Sequence, residues 1–83
     1  MFKNKSSEGF NNICGNRVHE IRLKQQPKMS QRMLADKLQL MGLDVDKNAI
    51  QRIESGKRFV TDIELKALKT IFNISYEELL EVE

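Results

Sequence analysis

The chain has 83 residues, a single cysteine and a formal net charge of +2. A chain this short makes one small domain with a modest core, and its lone Cys14 excludes an intramolecular disulfide and fits a reducing, cytoplasmic setting. No apolar run is long enough to span a bilayer and no charged leader precedes an apolar segment, so neither a membrane nor a secreted protein is expected.

The charge is unevenly spread. Residues 16–58 carry ten Lys or Arg against five Asp or Glu, whereas residues 59–83 carry two against six. A basic half suits a polyanionic partner, although an ordinary solvated surface gives the same count.

Residues 1–12, with Lys, Asn, Ser and Gly and only two Phe, read as a flexible arm ahead of one domain over residues 13–83. Lys3 and Lys5 leave open a minor-groove arm, though such arms usually carry arginine. The first helix is predicted over residues 12–25, with Ile13, Val18 and Ile21 inward and Arg17, Glu20 and Lys24 outward. Pro27 ends it, because the residue before a proline avoids the α region. His19 lies beside the inner face and reads as a partly exposed surface residue; a lone histidine without a second ligand at metal spacing is no metal site. Cys14 lacks the context of a nucleophile and reads as a helix-start residue.

A second helix opens at Ser30, whose hydroxyl can accept an orphan backbone N–H. Leu34, Ala35 and Leu38 recur on one face, and Gly42 stops the helix. Met29 packs down as the chain enters it. Met33 and Met41 read as core or half-core fillers, a methionine stripe for a partner peptide being the alternative. Leu40, Leu43 and Val45 flank a long connection, and some of them must cover the core or leave an apolar patch. Asp46 caps a third helix with Ile50 and Ile53 inside and Gly56 at its end. Its outer face holds Lys47, Asn48, Gln51 and Arg52, a set suited to base edges. Lys47 can donate to guanine, Asn48 and Gln51 can pair with adenine, and Arg52 can reach guanine or phosphate.

Lys57 and Arg58 follow in a loop, and Phe59 and Val60 return the chain to the core. Thr61 and Glu64 form a capping box for a fourth helix with Leu65, Leu68, Ile71 and Phe72 inside; Asn73 can end it in the left-handed conformation. Ser75 and Glu78 repeat the box before a short fifth helix with Leu79, Leu80 and Val82. No alternating run or Asn-Gly turn signals a strand. No nucleophile with its base, glycine-rich phosphate loop or Cys/His cluster stands out, so no enzyme, cofactor or metal site is expected.

Gln31, Leu34, Ala35, Ile50, and Ile53, Glu54, Ser55, Gly56, Lys57 and Arg58 occur together here as in one known group. On these residues the chain resembles the helix-turn-helix domain of the phage repressor and Cro-like family, also called the xenobiotic-response-element family, over residues 15–80. It departs in a longer connection between the two helices of the motif. The resemblance implies an all-α, compact five-helix bundle that binds double-stranded operator DNA as a transcriptional regulator, with the third helix in the major groove. It implies that Gln31 and Ser55 contact phosphates, and that Arg22 pairs structurally with Glu54. Arg32, Lys57 and Arg58 would add charge at the rim. Operators of this family are usually palindromic, so a homodimer on DNA is expected. Its contact would be Leu79, Leu80 and Val82 beside Tyr76, unless Leu79 and Leu80 simply close the monomer core. The alternatives are an antitoxin, which binds a toxin protein as well as DNA, and a protein-interaction module that keeps the fold without DNA binding; the outward Lys47 and Arg52 argue against the latter.

Overall fold

The computed structural model describes residues 11–80. Five helices follow one another: α1 (Gly15–Leu23), α2 (Gln31–Leu40), α3 (Lys47–Glu54), α4 (Asp62–Phe72) and α5 (Tyr76–Leu80). Among the described residues there is no strand. α1 packs on α3, α4 and α5, and α2 packs on α3 and α4. The expected all-α bundle is therefore the fold. Met1 to Phe10 and Val82, on which the arm and part of the dimer contact were predicated, lie outside the described residues.

Each helix begins where a side chain can take an orphan N–H. Ser30 Oγ accepts the Met33 amide at 3.0 Å and Asp46 Oδ1 accepts that of Ala49 at 2.8 Å. Thr61 and Glu64 complete their capping box, at 3.2 Å and 3.0 Å. Ser75 Oγ accepts the Glu78 amide at 3.1 Å. Gly42, at φ 87°, ends α2, and Asn73, at φ 55°, ends α4. Both stops fall where sequence reasoning puts them.

The core is Cys14, Val18, Leu34, Leu38, Val45, Ile50, Ile53, Leu68 and Leu79, all essentially sealed from solvent. Burying one such aliphatic side chain is worth roughly 1.5–3 kcal/mol, so the amphipathic faces hold the bundle. Leu79 closes the monomer core rather than forming a dimer patch, and Leu80 packs against that core.

Several expectations are corrected. α1 is shorter than residues 12–25. At its start, Asn12 Oδ1 accepts the Gly15 amide at 2.7 Å, so Asn12 acts as a cap and Ile13 is left 57% exposed instead of inward. At its end, Leu23 is exposed and Lys24 and Gln25 offer nothing apolar to bury, so the helix stops four residues short of Pro27. Met33, Met41 and Phe59 are also exposed, not core fillers. Of the apolar residues in the connection, Val45 is buried and Leu43 packs on the core, whereas Leu40, the last residue of α2, is 88% exposed.

The first turn of α1 abuts the last turn of α3. A Cβ on Gly15 would overlap the carbonyl oxygen of Ile53 and press on that of Glu54 at 3.2 Å. Only a residue without a side chain lets these two backbones meet. Gly15→Ala is therefore expected to lower stability by about 2–3 kcal/mol, although alanine in a helix usually gains up to about 1 kcal/mol over glycine. Gly42→Ala meets open space and carries only the left-handed penalty, about 1–2 kcal/mol. Urea unfolding of both variants checks this; a Gly15→Ala protein as stable as the parent would contradict the close approach.

Candidate nucleic-acid interface

α3 divides cleanly by side. Ala49, Ile50 and Ile53 are buried, while Lys47, Asn48, Gln51 and Arg52 are exposed. Residues three and four apart share a helix face, which sets these four on one outward arc. Among the described residues, none of the four side chains takes part in a hydrogen bond or ion pair. They are thus available to an outside partner.

The end of α3 is fixed by the Glu54 carboxylate. Arg22 Nε donates to Oε2 at 2.7 Å and Arg22 Nη2 to Oε1 at 3.0 Å. Gln31 Nε2 donates to Oε1 at 3.1 Å, and His19 Nδ1 lies 2.9 Å from the same oxygen. Arg22 Nη1 reaches back to the Met29 carbonyl at 3.0 Å. Burial alone would push the Glu54 carboxyl up, but the hydrogen bonds from Arg22, His19 and Gln31 and the guanidinium charge together hold it below the usual carboxylate value. One carboxylate so ties α1, the first residue of α2 and the last of α3.

The structure brings Gln31 into this cluster, half-buried, at the N-terminus of α2. Arg32 and Lys57 are exposed beside it in sequence terms, at the start of α2 and after α3. Ser55 is exposed, with its hydroxyl donating to the Arg52 carbonyl at 3.2 Å. Arg58 stands apart from the other rim residues: it forms a two-pronged pair with Glu64, 2.9 Å for each prong. Glu64 raises the Arg58 pKa through that pairing. Burial would raise the Glu64 carboxyl, but Arg58 and the Thr61 amide outweigh it and hold it low.

Sequence reasoning missed three residues here. Asn12 donates to the carbonyls of Ile53, at 3.1 Å, and Arg58, at 2.8 Å. Asn11 binds Gly56 O through its amide, at 2.7 Å, and Lys57 O through its side chain, at 2.8 Å. Asparagine three residues before an amide is a recognisable cap, but its reach to residues 53 and 58 is tertiary. His19 had a weaker signal, its position one turn before Arg22.

The cluster makes two predictions. Arg22→Met should destabilise by about 3–5 kcal/mol, because it leaves a buried carboxylate without its cation. The double variant with Glu54→Leu should recover part of this in chemical unfolding, whereas strict additivity would show that the two side chains do not interact. Depressed folded pKa values at Glu54 and Glu64 add stability that is full above the ordinary glutamate value, about 4.3. That stability is lost as pH falls through the lower folded values. Acid unfolding should accordingly be shallower in Glu54→Gln, which starts from a lower stability at neutral pH.

A family model described as helix-turn-helix matches residues 18–79, well over half of the chain. No curated protein and no solved structure matches it. No helix among the described residues is long and apolar enough to cross a membrane, and no group of metal-ligating side chains gathers among them. The cap-defined pair α2 and α3, the outward polar arc of α3 and the family match agree, and the chain belongs to the helix-turn-helix family of phage repressor and Cro type, as a DNA-binding transcription regulator.

Proposed function

We propose that the protein is a sequence-specific repressor that reads an operator in the major groove with α3. The observation that carries this reading is the set Lys47, Asn48, Gln51 and Arg52, exposed together on one arc. Bidentate amides suit adenine, and Lys47 and Arg52 suit guanine. Gln31 and Arg32 at the start of α2, and Ser55, Lys57 and Arg58 after α3, supply the phosphate contacts that set register, while the base contacts set sequence. The pairing of Arg58 with Glu64 must loosen before that guanidinium can turn fully to a phosphate. One domain covers one half-site, so two copies bind a palindromic operator. Repression then follows from occupancy of a promoter.

An antitoxin role is the second reading. Met33, Leu40 and Met41 are exposed on one side of α2 and its end, at 43%, 88% and 48%. Such an apolar strip suits a protein partner. Co-purification of a defined toxin with the chain, abolished by Leu40→Glu, would favour it.

Operator binding should be strongly salt dependent. If a dimer neutralises on the order of eight phosphates, log K falls with log salt at a slope of about −7. Arg52→Ala should lose about 1–3 kcal/mol on the operator and blur one position, whereas Lys57→Ala should weaken all duplexes alike. Binding titrations on duplexes selected from a random pool measure both. Equal losses on specific and random DNA for the two variants would remove base reading from Arg52, and a flat salt response would remove the mechanism.

A further inference from the structure

His19 is the one histidine in the chain. Its side chain is half exposed, while the Glu54 carboxylate it meets is only 5% exposed. That carboxylate oxygen also accepts from Gln31 and from Arg22 Nη2, so the imidazole, the Gln31 amide and the guanidinium share a single acceptor. Contacts of 2.9 and 3.1 Å to that one oxygen bring the ring close to the side-chain amide of Gln31, the first residue of α2. This is the point at which the operator reading puts a DNA phosphate.

The charges around the ring are settled by geometry. Arg22 faces it from its own helix, with Nη2 3.3 Å from Nδ1. Glu54 faces it from α3 and the neutral Gln31 amide from α2. Arg17 and Glu20, the neighbouring charges on α1, pair with each other at 3.3 Å. Arg22 and Glu54 cancel, so the cluster without a charged imidazole is neutral. A carboxylate oxygen at 2.9 Å needs a proton on Nδ1, because two facing lone pairs would repel. With Nδ1–H committed to Glu54, Nε2 is the ring's remaining nitrogen. As a bare nitrogen it offers a phosphate only a lone pair. Once protonated it becomes a donor, and the cluster carries a net positive charge.

We propose that His19 is a protonation-gated phosphate contact: Glu54 holds its ring next to the Gln31 side chain, and its Nε2–H binds a backbone phosphate when the imidazole is charged. The inference rests on the operator-binding reading. It makes DNA binding and proton uptake reciprocal, as any pair of linked equilibria must be. DNA tightens the hold of the ring on its second proton, and acid tightens the hold of the protein on DNA. Histidine is the side chain whose charge ordinarily changes between about pH 5 and 8. The Cys14 thiol is buried and pushed up to about 11, outside that window.

The test uses the full chain and a duplex selected for binding, at fixed ionic strength. The parent protein should bind roughly tenfold more tightly per half-site at the acid end of the histidine range than at the alkaline end, the size of one charged phosphate contact. His19→Gln keeps a hydrogen-bond donor for Glu54 but no titration, and should bind with the same affinity at both ends. The salt slope of the parent should steepen by about one per half-site on acidification, and that of His19→Gln should not. A merely structural His19 would alter thermal stability and shift affinity equally at all pH, leaving the salt slope alone. As a check free of any variant, the ring protons of His19, followed by NMR, should titrate at a higher pH with the duplex than without it. A pH response shared equally by parent and His19→Gln, or an imidazole titration that DNA does not move, would overturn the proposal while leaving operator binding intact. Absence of duplex binding at every pH would overturn the operator reading, and this inference with it.

Discussion

The Glu54 carboxylate is the fixed point from which the motif is built. It is the last helical residue of α3, yet its partners are on α1 and α2. An ionised carboxylate at 5% exposure is tolerable only with charge-assisted bonds to fill its lone pairs. Arg22 gives two of them in fork geometry, which a lysine could not. The same guanidinium ties down the Met29 carbonyl, so the loop into α2 is set by the same charge pair that sets the end of α3. The relative placement of α2 and α3 is thus an electrostatic matter at one end and a packing matter at the other.

A second tie holds the back of α3. Asn11 and Asn12 satisfy the carbonyls of Ile53, Gly56, Lys57 and Arg58, where the helix runs out of internal donors. Gly56, in left-handed conformation, turns the chain away, and Arg58 fastens the loop to α4 through Glu64. Gly15 lets α1 approach closely enough for this. The exposed arc of α3 is therefore mounted on backbone groups that are themselves bonded.

What the residues disclosed follows a physical division. Caps and stops were legible because they are local: Ser30, Asp46, Thr61 and Asn73 act on amides or turns within a few positions. The inner faces of α2, α3 and α4 were legible from periodicity, and the Arg22–Glu54 pair only from family resemblance. Ile13, Met33 and Phe59 were misplaced because an apolar residue beside a helix end has no periodic partner to fix its direction. The Arg58–Glu64 pair spans six residues across a turn and carries no signature in spacing. His19 was legible as exposed but not as a ligand of Glu54, since its partner lies 35 positions away.

The connection between the two helices of the motif is long. Six residues separate α2 from α3, where about three or four suffice in a compact helix-turn-helix. Both ends of the connection are nevertheless anchored. The Leu43 amide donates to the Leu38 carbonyl at 3.1 Å, which closes α2 after Gly42. Gln39 Nε2 donates to the Val45 carbonyl at 3.2 Å, and Val45 is sealed in the core next to the Asp46 cap. The direction of α3 is then fixed by Val45, by that cap and by Ile50 and Ile53, none of which depends on the length of chain before them. The direction of α3 is set from its own side of the connection, by the Asp46 cap and by the side chains the helix buries.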